Sequence, residues 1–266
     1  MSGAGERLAM GVEYDGGGFH GWQTQRPGVR TVQDCVEAAL SRVADHPVKV
    51  HCSGRTDTGV HAEGQVIHFD TRASRPRRSW VLGGNTFLPP DICIRWARPV
   101  CTDFHARFSA QGRHYRYDIL NRPTRPALGR GRVVWVHRPL DAERMHRAGQ
   151  VLVGRHDFSS YRALGCQAKS PVREVFYLRV TRAGERIRLE IGANGFLHHM
   201  VRNIAGVLIA IGKGEHPVGW AAEVLALRDR TLGGVTAPPQ GLSLVRVDYP
   251  ARFGLPEAED ICLNPW

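Results

Sequence analysis

Lysine is scarce in this 266-residue chain: of its 36 basic residues only Lys49, Lys169 and Lys213 are lysines. Long apolar runs are missing too. No window approaches the roughly 18 uninterrupted apolar residues that a membrane span needs. The opening residues, MSGAGERLAMGVEY, lack a basic segment followed by an apolar one, so we expect no secretory signal and a cytoplasmic location. The 6 cysteines, at positions 35, 52, 93, 101, 166 and 262, never form a C-x-x-C pair, which leads us to expect reduced thiols and no structural zinc. No dinucleotide-binding glycine fingerprint occurs. Gly206…Gly212-Lys213-Gly214 approximates a phosphate loop, but the spacing is one residue too long and no Ser or Thr follows to hold magnesium. It reads as a helix end. These absences exclude a membrane protein and a secreted mini-protein, and a nucleotide-cofactor metabolic enzyme fits poorly.

What is present is globular and basic. Hydrophobic residues make up 42% and charged residues 23%, and the length allows one large domain or two ordinary ones. The formal net charge is +11, which draws a protein to polyanions, nucleic acid first and anionic membrane surface second.

Hydrophobic periodicity predicts the same order of elements twice. Leu8–Tyr14 is a strand, and Thr31 with Asp34 gives a capping pattern before a helix whose face is Val32, Val36, Ala39, Leu40 and Val43. Strands at Val48–Ser53 and Gln65–Asp70, a helix at Trp80–Phe87 and a strand at Ile92–Ala97 complete β-α-β-β-α-β. In the second half, Arg113–Ile119 alternates as a half-buried strand and Asp141–Val153 is helical up to Gly154. Val175–Thr181 and Arg186–Ala193 form a hairpin-like pair, followed by helices at His198–Ile211 and Gly219–Arg230 and a strand at Leu242–Val247. The predicted class is α+β: two ferredoxin-like split halves with mainly antiparallel sheets, helices on one face, the other face open to a ligand, and a cleft between the halves. The boundary is placed near residue 105, giving domains 1–105 and 106–266.

Chemistry concentrates in Cys52-Ser53-Gly54-Arg55-Thr56-Asp57-Thr58-Gly59-Val60-His61-Ala62, directly after a predicted strand. Gly54 and Gly59 bracket a tight turn and permit close approach of backbone to ligand. Arg55 beside Asp57 favours the ionised carboxylate, which suits a nucleophile or base rather than a general acid. A loop aspartate capping its own turn has the same pattern. His61-Ala62-Glu63 matches half of the zinc nucleobase-deaminase signature, but the P-C-x-x-C half is missing. Arg202 stands in the apolar stretch HHMVRNIAGVLIAI, where a guanidinium that cannot lose its proton either needs an anionic partner or snorkels to solvent. Tyr115 could stack on a base or belong to the core, and Tyr117 reads as core.

Seven blocks carry a resemblance: Cys52–Ala62, Gly11-Val12-Glu13-Tyr14-Asp15-Gly16, Gly21-Trp22-Gln23, Phe104-His105-Ala106-Arg107-Phe108, Tyr115-Arg116-Tyr117, His198-His199-Met200-Val201-Arg202-Asn203 and Gly241-Leu242. Together they resemble, in order from about residue 8 to 255, the bacterial tRNA pseudouridine synthase A family. The resemblance implies isomerisation of uridine to pseudouridine at nucleotides 38 to 40 of the tRNA anticodon stem-loop, with no metal or organic cofactor, by a homodimer. It places the catalytic aspartate on Asp57, the active-site tyrosine on Tyr115 and the pairing arginine on Arg202. Arg55 would hold the space of the extruded base or its phosphate, and Leu242 would wall the pocket. RNA contacts are expected mainly to phosphate and sugar. The candidates are Arg75, Arg77 and Arg78, then Phe104, His105, Ala106, Arg107 and Phe108, then Arg122 and Arg125, and the loop Gly165, Cys166, Gln167, Ala168 and Lys169. A non-catalytic RNA-binding module is the rival reading.

Overall fold

The computed structural model describes residues 5–256. The chain forms two compact units: the first runs to Gln111 and resumes at Leu244, and the second is Gly112–Ser243. This differs from the single boundary expected near residue 105. The reason is apolar surface. Phe104, Ala106 and Phe253 share one small core with Ala9, Val66 and Trp96, which ties both the segment after residue 103 and the returning chain to the first unit.

The first unit has the order β1 (Glu6–Tyr14), α1 (Val32–Ala44), β2 (His51–Cys52), β3 (His61–Thr71), α2 (Arg77–Phe87) and β4 (Ile92–Val100). β1 lies between β3 and β4, β2 pairs with β3, and all three pairings are antiparallel. α1 starts as its sequence predicts: Thr31 accepts the Asp34 N–H and its hydroxyl donates to the Asp34 carboxylate. β2 is shorter than expected. The N–H groups of Val48 and Val50 donate to Ser41 Oγ and Glu37 Oε1 on α1, so they are not available to a strand ladder.

Alternation along β1 sends Leu8 and Met10 toward the helices, where Val36, Leu40, Ile67, Phe69 and Trp80 are buried with them. The Phe69 and Trp80 rings meet edge-on at 5.4 Å. The opposite face was expected to be open. Instead the apolar residues Ala9, Val66 and Trp96 on it are covered by Phe104, Ala106 and Phe253, with Tyr249 packed alongside. Gly11 makes room there for the Trp96 indole, since a Cβ would lie 2.1 Å from its Nε1.

The second unit comprises β5 (Gly112–Asn121), β6 (Val134–Val136), α3 (Ala142–Gly149), β7 (Gly154–Asp157), β8 (Val172–Ala183), β9 (Arg186–Ala193), α4 (Met200–Gly212) and α5 (Trp220–Leu227). The strand order is β5-β9-β8-β7, antiparallel throughout, with β6 parallel to β5. β6 and β7 are not among the expected strands, because strands of 3 and 4 residues are too short to show a period. The expected helix to Val153 stops at Gly149, where a Cβ would meet Leu178 at 2.4 Å, and one 3₁₀ turn follows. Gly154 does take the left-handed region, at φ +102°, but it opens β7. α4 and α5 also begin later than expected, at Met200 and Trp220. The closing strand β10 (Leu242–Asp248) starts in this unit and runs beside β3 in the first, where Gly64 lets the Val245 backbone approach. Among the described residues no helix is long and apolar enough to cross a membrane.

Candidate active site

The loop that follows β2 is pinned at nearly every residue. Ser53 N–H donates to Val66 O at 2.8 Å, and buried Gln65 accepts the Ser53 hydroxyl at 2.6 Å while donating to Gly54 O at 2.8 Å. Thr56 accepts the Trp22 N–H at 3.0 Å on its carbonyl, and its hydroxyl bonds the Tyr14 hydroxyl at 2.7 Å. Val60 N–H then donates to Asp57 O at 3.1 Å, and Gly59, at φ +77°, closes the turn. Gly21, at φ +87°, lies flat against this backbone: a Cβ there would stand 2.7 Å from Thr56 O. Asp57 is therefore presented, half-buried, from a backbone held on both sides, with exposed Arg55 two residues away.

Gly54 borders open space. A Cβ added to it meets nothing within 4 Å, so the protein's own packing does not demand glycine there. Burial pushes the Cys52 thiol up to about 12, against the pull of Arg55 and Arg107, and so keeps it a neutral thiol rather than a nucleophile. His61, of the half zinc signature, accepts the Gly16 N–H on Nδ1 at 3.0 Å and lies 3.1 Å from Asp15, which ties it to the turn after β1.

In the second unit, Tyr115 on β5 is half-buried and meets the Phe196 ring edge-on at 5.1 Å. Tyr117 is fully buried and donates to Pro238 O at 2.8 Å, a core role as expected. Arg202, in the first turn of α4, is half-buried and donates from Nε to Ala237 O at 2.9 Å. Its charge lowers the Tyr117 hydroxyl's pKa against the larger upward push of burial. His199 enters α4 at φ +61°, unusual for a residue with a side chain, and its ring lies 4.0 Å from that of His198. Tyr115, Phe196, His198, His199 and Arg202 thus gather around the start of α4. Phe196 and His199 were not singled out for a role; the density of ring side chains just ahead of Arg202 was the available signal. Leu242 is buried.

The expected RNA-facing residues divide. Phe104 and Ala106 are fully buried, which corrects their assignment to the RNA surface: their side chains build the first unit's second core. Arg107 and Phe108 are exposed, and His105 is half-buried beneath them. Arg75 is exposed and reaches Val43 O at 3.4 Å near the end of α1. Arg77 and Arg78, which open α2, are exposed. Arg122 is engaged within its own loop, donating to Thr124 O at 2.9 Å and to Glu185 at 3.0 Å, whereas Arg125 is exposed. Gly165, Gln167 and Lys169 are exposed, and Cys166 and Ala168 are half-buried. Their loop is anchored where Ala163 N–H donates to His198 O at 2.8 Å, so it rises from the start of α4.

A family model described as tRNA pseudouridine synthase matches residues 10–109 and 148–250. Over 250 residues the chain is 62% identical to the tRNA pseudouridine synthase A of Nitrosococcus oceani, covering 94% of this chain and 96% of that one. The chain belongs to the tRNA pseudouridine synthase A family. Its members from Alcanivorax borkumensis and Pseudomonas aeruginosa are 57% and 58% identical, again over 94% of this chain and over 94% and 88% of theirs. A solved H/ACA RNP bound to a substrate RNA containing 2'-deoxyuridine aligns at a TM-score of 0.34 and 10% identity, over 76% of this chain and 53% of that one. Asp57, Arg202 and Leu242 lie inside the segments matched by the family model, and Tyr115 lies in the stretch between them.

Proposed function

We propose that this family member isomerises uridine to pseudouridine at nucleotides 38, 39 and 40 of the tRNA anticodon stem-loop, with ionised Asp57 as the catalytic carboxylate. The reading is supported by the family membership and, within the chain, by the loop of Gly54–Gly59, whose backbone is held by Gly21, Trp22 and Gln65 and carries Asp57. Such a fixed group lowers a barrier by position, because the reacting atoms need no further ordering.

In the reaction the N1–C1′ bond of the nucleotide breaks, the base turns, and a C5–C1′ bond forms. C5 loses its proton and N1 gains one, so substrate and product are isomers. Asp57 attacks C1′ of the ribose or C6 of the uracil, or stabilises a cationic transition state, and the balance is the same in each case. The nucleotide must leave its stack, at a cost of a few kcal/mol. Tyr115 is proposed to offset part of this by stacking on the base, worth about 1–3 kcal/mol. Arg202 is the proposed guanidinium partner of the Asp57 carboxylate, Arg55 fills the vacated stack or holds the phosphate, and Leu242 walls the base. Two copies act together in the cytoplasm, built of ferredoxin-like halves.

Tritium release from tRNA labelled at uracil C5 tests the reading. The wild-type protein should release it, and Asp57→Asn should bind tRNA with unchanged affinity and release none. A non-catalytic RNA-binding module would give no release from either.

A further inference from the structure

Phe108 is 76% exposed, the most open of the described phenylalanines. It does not hang on a loose loop. His105 Nδ1 accepts the N–H groups of Arg107 at 3.1 Å and Phe108 at 3.3 Å, and Ser109 N–H donates to His105 O at 2.9 Å. Ala106 N–H donates to Nδ1 of buried His68 at 3.2 Å, and Ala106 O accepts the Tyr249 hydroxyl at 2.6 Å. Four successive N–H groups are taken, so hydrogen bonds hold the turn, and its Phe108 ring is exposed.

The ring is also backed. His105 lies 4.4 Å beneath it, and His105 in turn lies 4.6 Å from His68 and 5.4 Å from His51. His51 opens β2, the strand that feeds the Asp57 loop. The Arg107 guanidinium stands 5.6 Å from the Phe108 centroid. Arg107 and Arg55, on the two segments joined through these rings, are both exposed. An apolar protein partner would gain little from this setting. A ligand with a flat π face joined to an anionic link fits it, and that is a nucleotide.

We infer that Phe108 is a stacking platform for an unpaired base flanking the target uridine, with Arg107 on the adjoining phosphate. Phe108 connects to the Asp57 loop through the His105 and His51 rings and residues 52–56, so the base on it is assigned as a neighbour of the target and not the target itself. This rests on the proposed function and adds to it a residue that positions the strand.

The test uses the full-length protein and an anticodon stem-loop RNA. Phe108→Ala should keep the melting temperature of the wild type, as the side chain is exposed, and should weaken RNA binding by about 5- to 150-fold. Phe108→Trp should bind within about threefold of wild type, since a larger ring still stacks. Substrates made abasic at each loop position should reveal one position where the wild type loses as much as Phe108→Ala and the variant loses nothing further. Arg107→Gln should instead lower the salt dependence of binding by about one phosphate contact. Equal binding by Phe108→Ala and wild type, a Trp variant as weak as Ala, or losses that add at every abasic position would overturn the platform. If the wild type shows this coupling but releases no tritium, the catalytic reading fails, and base stacking on Phe108 stands without a target uridine beside it.

Discussion

At the scale of the residue, the Asp57 loop depends on glycine where backbone meets backbone. Gly21 holds φ +87° with Thr56 O in the place of its Cβ, so Gly21→Ala has neither the conformation nor the room. We expect it to destabilise the protein by about 1–3 kcal/mol and to lower tritium release further than the stability loss alone explains, because the strain falls on Thr56–Thr58. Gly54→Ala should shift stability by less than about 0.5 kcal/mol. Chemical denaturation of the two variants separates these cases, and equal stability of Gly21→Ala and wild type would refute the packing account. Both glycines stand in the sequence blocks that carry the family resemblance. Only the coordinates show that one serves the fold and the other is left clear.

At the scale of the element, the turn Phe104–Phe108 and β3 are joined by imidazoles that must stay neutral. Burial pushes His68 down to about 4, and His105 and His51 add to the effect along with Arg7, while Asp70 opposes it. His105 is lowered as well, chiefly by burial. A proton on either Nδ1 would displace a backbone N–H that now donates to it. The unfolded chain binds this proton near 6.5 and the folded His68 near 4, so stability is full above pH 6.5 and falls as the pH drops toward 4. His68 alone accounts for a loss of up to about 3 kcal/mol across that window. Denaturant midpoints measured from pH 7 to 4.5 should show it. His68→Gln, which keeps an acceptor for Ala106 N–H, should flatten the curve, and an unchanged slope in that variant would remove His68 as the cause. The helix starting at Val32 was readable because its cap and its apolar stripe are local. β6 and β7 were not, since their limits are set by partners along the chain, and β2 was readable as a strand but not in its length, which α1 sets.

At the scale of the whole molecule, a net charge of +11 should make tRNA affinity fall steeply with salt. A plot of log affinity against log salt should be linear, with a slope of about −0.7 to −0.9 for each phosphate contacted. Arg125→Gln and Lys169→Gln, at exposed positions, should each reduce the slope. Arg122→Gln should do so less, as that guanidinium is held by Glu185 and Thr124 O. A slope near zero for the wild type would contradict the electrostatic account. Composition alone pointed to a polyanion partner. It could not say which arginines the fold had already engaged.

The sequence by itself determined the order of the strands and helices in the first unit, the N-terminal cap of α1, the core role of Tyr117 and the family, through a loop motif whose residues are neighbours in the chain. Local hydrogen bonds and hydrophobic period are written in consecutive residues, so they can be read there. Tertiary structure decided the rest: the return of the chain at Leu244, the covering of the sheet's second face, the burial of Phe104 and Ala106 and the exposure of Phe108. Those outcomes depend on which distant apolar surfaces meet, and no spacing along the chain encodes that.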